Sequence, residues 1–211
     1  MGIYLSIKRI IDFLLSLIAL IILGIPLLII GVLIKVESKG PILFLQERVG
    51  KDGKVFNIYK FRTMVDDAIN MGSGIRTSKD DPRITGVGNF LRKTSLDEVP
   101  QILNILKGEM SIIGPRPPVP YHPRKYEEYN SFQKQRFEVL PGITGLAQVE
   151  LRNAGTWDDR IVYDVEYVKN ISFKLDVSIF FRTILTVVKS DNIYLSEEPE
   201  EGKEDKEDAQ S

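Results

Sequence analysis

The chain contains no cysteine and a single histidine, and both scarcities narrow its chemistry. Without thiols there is no disulfide, no thiolate nucleophile and no cysteine zinc site. The histidine, His122, stands between Tyr121 and Pro123. A Ser-His-Asp triad would have to run through it, and a metal site built from several histidines is impossible. Neither a Walker A sequence nor a G-x-G-x-x-G turn is present, so the usual glycine cradles for nucleotide phosphates are missing. Net charge is only -1 over 211 residues, so bulk charge names no partner. Any catalysis must therefore rest on carboxylates and cations.

What is present begins with an asymmetry. Residues 197–208 are mostly acidic, so the body before them is net basic, which suits anionic membrane surfaces, nucleotides and phosphates. Hydrophobic residues make up 43% of the chain, enough for one compact domain with additions.

Residues 13–34 are apolar throughout, with Ser16 the only strongly polar interruption. As a straight helix the run would reach about 33 Å, roughly the hydrocarbon thickness of a bilayer. It is longer than a signal-peptide core, and no small-x-small cleavage site follows it. Lys8 and Arg9 precede it while Lys35 and Lys39 follow it, so flanking charge sets no orientation. Pro26 lies near its midpoint, where the missing N–H predicts a kink. A kinked helix can span, or both its ends can return to one face; the residues alone leave both open.

Residues 42–61 read as a β-hairpin turned by Lys51-Asp52-Gly53-Lys54. Lys60 and Arg62, two apart, point to one face of an extended chain, where charge also guards edge strands. Residues 64–85 have no clean period and read as a lid, a binding loop or a disordered excursion. Phe90, Leu91, Val99, Ile102, Leu103 and Leu106 follow a helical spacing that Lys107-Gly108 ends. Gly114-Pro115-Arg116-Pro117-Pro118 is rigid and cannot be helical. Helices are predicted over 126–137 and 157–169, with a turn-rich loop at 141–145 between them. Residues 179–189 carry only Arg182 and Lys189 as charges, a pattern suited to a helix in a membrane interface and nearly as well to a buried one. The acidic tail reads as disordered.

Chemistry concentrates in Arg92-Lys93-Thr94-Ser95-Leu96-Asp97-Glu98-Val99-Pro100-Gln101. Ser95 and Glu98 have capping-box spacing, and Pro100 is tolerated only in a first turn, so Asp97 and Glu98 stand at a helix start. Carboxylates there complement the helix dipole without any catalytic role. Adjacent carboxylates also diverge, so one can attack phosphorus while the other holds a divalent cation. Arg92 and Lys93 lie just upstream, and Arg116 sits in the proline-locked loop, where a rigid guanidinium suits phosphoryl oxygens.

The chain resembles the bacterial sugar transferase family, the small monotopic phosphoglycosyl transferases that start glycan assembly on a lipid carrier. The resemblance runs from Lys8 to Lys189 and is carried by an ordered series of motifs. These are Lys8-Arg9-Ile10-Ile11-Asp12, Gln46-Glu47-Arg48-Val49-Gly50, Tyr59-Lys60-Phe61-Arg62-Thr63-Met64 and Leu91-Arg92-Lys93-Thr94-Ser95-Leu96-Asp97-Glu98. Asn104-Ile105-Leu106-Lys107-Gly108, Met110-Ser111-Ile112-Ile113-Gly114-Pro115-Arg116-Pro117 and Pro141-Gly142-Ile143-Thr144-Gly145-Leu146-Ala147-Gln148-Val149 complete it. It implies an α+β, mainly helical fold: an N-terminal re-entrant membrane segment broken at Pro26, a small β-hairpin, and amphipathic interfacial helices around a compact cytoplasmic catalytic domain. On this basis residues 1–39 form the membrane segment, 40–195 the catalytic domain and 196–211 the tail.

The resemblance further implies a ping-pong transfer. Asp97 attacks the sugar-bearing phosphate of a UDP-sugar and expels UMP, and polyprenyl phosphate then takes the phosphosugar. Glu98 binds Mg²⁺, while Lys60, Arg62, Arg92, Arg116 and Arg152 are the expected phosphate and substrate contacts. The expected partners are the UDP-sugar, undecaprenyl phosphate, membrane lipids and downstream glycosyltransferases, with no nucleic acid, at the cytoplasmic face of the cytoplasmic membrane. Two departures stand out. Glu150-Leu151 replaces the Asn-Gly usual before the Arg152-Asn153 pair, and Gly86 and Asn89 stand where many relatives are basic. The rivals are a non-catalytic membrane adaptor and a ternary-complex transfer in which Asp97 acts as a base.

Overall fold

An unbroken apolar run at the chain's start predicts a long helix, and one forms. The computed structural model describes residues 2–71, 81–151 and 154–188. In chain order the elements are α1 (Gly2–Glu37), β1 (Leu43–Val49), β2 (Val55–Phe61), α2 (Gly86–Lys93), α3 (Ile102–Lys107), β3 (Ser111–Ile113), α4 (Ser131–Lys134), β4 (Gly142–Thr144), α5 (Leu146–Leu151), α6 (Trp157–Asn170) and α7 (Phe173–Val188). The class is the expected one, mainly helical with a small antiparallel hairpin.

α1 is long and apolar enough to cross a membrane. Pro26 lies inside this one helix, which differs from two helices separated by a break. Proline withholds a single backbone donor and its fixed φ is helical, so the neighbouring bonds can carry the helix past it. Both ends of α1 are tied to the same folded body. Near its start, Lys8 pairs with Asp176 at 2.8 Å, Asp12 accepts from the Ser111 hydroxyl at 2.6 Å, and Arg9 donates to the carbonyl of Ile105 at 2.6 Å. Near its end, Ile34 packs with Phe61 and Leu91, and Glu37 accepts from the backbone N–H groups of Gly86 and Val87. Between these anchors Ile18, Ile21, Ile22, Ile25, Leu28 and Ile29 are exposed.

The hairpin pairs Leu43 with Phe61 and Val49 with Val55. Its turn needs left-handed backbone at Asp52 and at Gly53, whose φ is 77°. A Cβ on Gly53 would also lie 2.6 Å from the Tyr126 ring, so the position requires glycine. Beyond the hairpin, α2 sits close enough that a Cβ on Gly88 would lie 2.0 Å from the Thr63 carbonyl oxygen. That approach brings Arg92 against Thr63. Asn104 ties α3 to β2: fully buried, it accepts from the Tyr59 N–H at 3.1 Å and donates to the Asn57 carbonyl at 2.7 Å.

The remaining expectations meet the structure as follows. The predicted helix over 126–137 is interrupted. Asn130 and Gln133 form a capping box that starts α4 afresh, flanked by single 3-10 turns, because Tyr129 is drawn into the core with Phe137 and Ile161. The 141–145 loop contributes β4, parallel to β3. α6 starts from a Thr156–Asp159 capping box and runs as expected to one residue past Lys169. In the loop after Met64, Arg83 binds Asp81 and donates to the carbonyls of Ala68 and Met71, which ties the two flanks together. α7 turns Asp176 and Ile179 inward and exposes Phe173, Val177, Phe180, Phe181, Ile184 and Leu185. Arg182 pairs with Glu150; Lys189 and the acidic tail lie outside the described residues.

Asn104→Ala should orphan two buried backbone groups of β2, costing about 2–5 kcal/mol. The expected observation is a clearly lower thermal unfolding midpoint; an unchanged one would mean that β2 does not depend on this tether.

Candidate active site

Ser95 adopts a left-handed conformation with φ 56° and makes no side-chain cap, so the expected capping box is absent. The turn it opens is a 3-10 helix, Leu96–Gln101, rather than the start of an α-helix. Pro100 lies inside this segment, where it withholds one backbone donor. Asp97 and Glu98 do occupy the first turn.

Glu98 is the hub. Its Oε1 accepts from Lys60 Nζ at 2.7 Å and from Arg116 Nη2 at 2.8 Å, and its Oε2 lies 3.5 Å from Arg116 Nη1. One carboxylate thereby joins the hairpin, the 3-10 turn and the proline-locked loop. Burial by itself would raise the Glu98 carboxyl, but Arg116 and Lys60 outweigh it and hold the group well below the usual range. Its neighbour moves the other way. Burial raises the Asp97 carboxyl, with Glu98's negative charge adding to the shift and Lys60 and Arg92 opposing it. Two adjacent carboxylates thus acquire distinct acidities from their surroundings.

Arg92 donates to the Thr63 hydroxyl at 2.8 Å, and its charge reaches Asp97. Arg62 goes elsewhere. It lies beyond the last residue of β2, is buried, and donates to the carbonyls of Ser38 and Lys39 just after α1. Strand alternation predicted a shared face with Lys60, and the end of the strand removed it. Arg152 lies outside the described residues.

One cation was not singled out from sequence. Arg48 on β1 donates to the Pro117 carbonyl at 2.9 Å and lies within electrostatic reach of Arg116 and Glu98. Burial and the like charge of Arg116 lower its guanidinium to about 10. The available signal was its position on the same hairpin as Lys60, inside a motif already noted. Lys60, Arg92, Arg116 and Arg48 set four positive charges around the two negative charges of Asp97 and Glu98, an excess of two. Such a cluster suits a polyanion such as a diphosphate.

Among the described residues no three metal-binding side chains cluster. The carboxylate pair still fits magnesium, which takes one or two protein carboxylates and fills its shell from substrate phosphates and water. A cavity of about 400 Å³ lies apart from this cluster, beneath the first turns of α1. Of its polar lining groups, Lys8, Asp12, Ser111 and Tyr167 are bonded to protein partners, and the paired carboxylates and cations lie in the Glu98 cluster instead.

The model of a family described as bacterial sugar transferase matches residues 3–190. The UDP-glucose:undecaprenyl-phosphate glucose-1-phosphate transferase of Klebsiella pneumoniae is 41% identical over 192 residues, covering 87% of this chain and 40% of that protein. The UDP-N-acetylgalactosamine-undecaprenyl-phosphate N-acetylgalactosaminephosphotransferase of Aeromonas hydrophila is 43% identical over 189 residues, 88% of this chain and 44% of that one. The chain therefore spans less than half the length of these two relatives. The exopolysaccharide production protein PSS of Rhizobium leguminosarum is 41% identical, with 86% of this chain and 95% of that protein covered.

Removing the hub should cost more than removing its neighbour. Glu98→Ala leaves the partly buried Lys60 and Arg116 charges side by side, a loss of about 1–3 kcal/mol once solvent access is allowed for. Asp97→Ala deletes a carboxylate that burial already disfavours, so its thermal midpoint should fall less. Equal or reversed shifts would remove Glu98 from its central position.

Proposed function

Because the chain belongs to the bacterial sugar transferase family, we propose that it moves a sugar-1-phosphate from a UDP-sugar to polyprenyl phosphate, as a first membrane step of glycan assembly. The products are UMP and a polyprenyl diphosphate sugar. The observation that carries this reading is the Lys60–Glu98–Arg116 cluster beside Asp97.

In the first half-reaction an Asp97 carboxylate oxygen attacks the sugar-bearing phosphorus of the UDP-sugar. A phosphorus–oxygen bond forms, the bridging phosphorus–oxygen bond breaks, and UMP leaves with that electron pair. The phosphosugar then rests on Asp97 as an acyl phosphate. In the second half-reaction an oxygen of polyprenyl phosphate attacks the same phosphorus and releases the Asp97 carboxylate. Arg92, Arg116 and Lys60 hold and neutralise phosphate oxygens through both halves. Glu98 would hold Mg²⁺, which supplies charge neutralisation on the diphosphate when bound. The raised Asp97 carboxyl also suits a base in a ternary complex. A trapped intermediate separates the two routes.

The reading extends to topology. A spanning helix would put its two ends on opposite sides of the bilayer, yet both ends of α1 bond to one folded body. This supports a re-entrant path for α1, with the exposed isoleucines and leucines of its middle in lipid and the catalytic body at the cytoplasmic face. The exposed phenylalanines and aliphatics of α7 support its lying in the interface.

The purified chain with Mg²⁺, decaprenyl phosphate and UDP-glucose, UDP-galactose or UDP-N-acetylgalactosamine should release UMP. Asp97→Asn should lower that release by roughly 10³-fold or more. Without acceptor, a label on the sugar phosphate should stay on the wild-type protein and be absent from Asp97→Asn. No release with any sugar favours a membrane adaptor; turnover without label favours the ternary complex. Tags at residue 1 and at the C-terminus should both be protected in intact cells, and labelling of the first from outside would refute re-entry.

A further inference from the structure

The loop that presents Arg116 has an unusual backbone problem. Pro115, Pro117 and Pro118 have no N–H, so the loop cannot brace itself with internal hydrogen bonds. Its carbonyls are braced from outside, in succession. Pro115 accepts from the Gly142 N–H at 3.0 Å, Arg116 from Arg136 Nη2 at 2.8 Å, Pro117 from Arg48 Nη1 at 2.9 Å, and Pro118 from the Val49 N–H at 2.9 Å.

Arg136 is the costly member of this set. Its side chain is 1% exposed, and the same Nη2 pairs with Asp164 Oδ2 at 2.6 Å, a carboxylate that is 2% exposed. Burial pushes the Asp164 carboxyl up to about 6, despite the opposing pull of Arg136 and Arg160. A buried pair of this kind adds little stability over apolar residues of similar volume. Asp164 stands on α6 among core residues and meets the Arg116 loop through Arg136. What the pair does achieve is a fixed donor aimed at the backbone of Arg116.

We propose that Arg136 and Asp164 are positioning residues for the transfer reaction, acting through the Arg116 carbonyl to hold the Arg116 guanidinium on Glu98. This rests on the reading above that Arg116 handles phosphate. Asp164 keeps Arg136 charged, buried and oriented; Arg136 then does for the loop what its prolines cannot. No spacing rule links residues 116, 136 and 164, so sequence offered no signal for the relay.

A double-mutant cycle tests it in the full chain with Mg²⁺, decaprenyl phosphate and the UDP-sugar panel. Asp164→Asn should lower kcat/KM by about 10-fold to 100-fold in the wild-type background, as misplacement of a catalytic group does. In the Arg116→Ala background the same substitution should change it less than about 2-fold, because the group it positions is gone. Equal fold-losses in both backgrounds, or full activity of Asp164→Asn, would overturn the proposal. Hydrogen exchange without substrate gives a second readout. The 114–122 peptide should exchange faster in Asp164→Asn while 51–61, which holds none of the loop's backbone braces, is unchanged; unaltered exchange of 114–122 would also overturn it. If the wild-type chain releases no UMP from any sugar, the transferase reading fails, and exchange still decides whether the pair holds the loop. Should Asp164→Asn not fold, Arg136→Lys carries both tests, since the lysine side chain is one bond shorter and cannot bring its nitrogen to the place of Nη2 between carboxylate and carbonyl.

Discussion

Glu98 accepts from two cations that arrive on separate parts of the chain, Lys60 from β2 and Arg116 from the proline-locked loop. The three segments meet at this shared carboxylate, beside the apolar packing of Leu96 against Phe61 and Leu91. The arrangement is electrostatically self-consistent. Burial would raise the Glu98 carboxyl, and the two cations press it well below the ordinary range. Asp97, one residue earlier, is raised by burial despite the opposing charges of Lys60 and Arg92. A carboxylate held firmly ionised beside one made more basic suits the division of labour that the proposed transfer needs: the first would organise charge, and the second would serve as nucleophile or base.

That cluster would be of little use to a lipid-borne phosphate unless its distance from the bilayer were fixed. Buried polar contacts do the fixing. Tyr4, Lys8 and Tyr167 converge on Asp176, while Asp12 receives the Ser111 hydroxyl, so the start of α1 is locked to β3, α6 and α7. Directional bonds of this kind specify one orientation, where a purely apolar contact would allow sliding. At the other end Glu37 caps α2, the helix that carries Arg92. The apolar helix α1 and the cations around Glu98 are therefore joined by a continuous set of polar contacts, and Asn104 ties in the strand that carries Lys60.

Much of this was legible in the residues. The apolar run, the hairpin with its Asp52-Gly53 turn, α6 with its capping box and the unhelical Gly114–Pro118 loop all follow from local rules. Asp97 and Glu98 were also picked out there, by local rules as helix-start carboxylates and, through the family resemblance, as nucleophile and metal ligand. The misreadings share a cause. Ser95 was expected to cap and instead bends left-handed, Tyr129 splits an expected helix, and Arg62 leaves the face it shared with Lys60. Each is a local preference overruled by a contact with something distant in sequence.

Covalent order determined which chemistries this protein can have: carboxylates and guanidinium groups, a membrane-length apolar helix, and a loop whose prolines forbid it to brace itself. Tertiary structure alone decided which cation meets which carboxylate. Lys60 finds Glu98 across 38 positions and Arg136 finds Asp164 across 28, and Arg48 joins a loop 69 positions away. The physical reason is that periodicity and capping act within a few residues, whereas ion pairing depends on distance in space and on burial, and neither exists until the chain has folded.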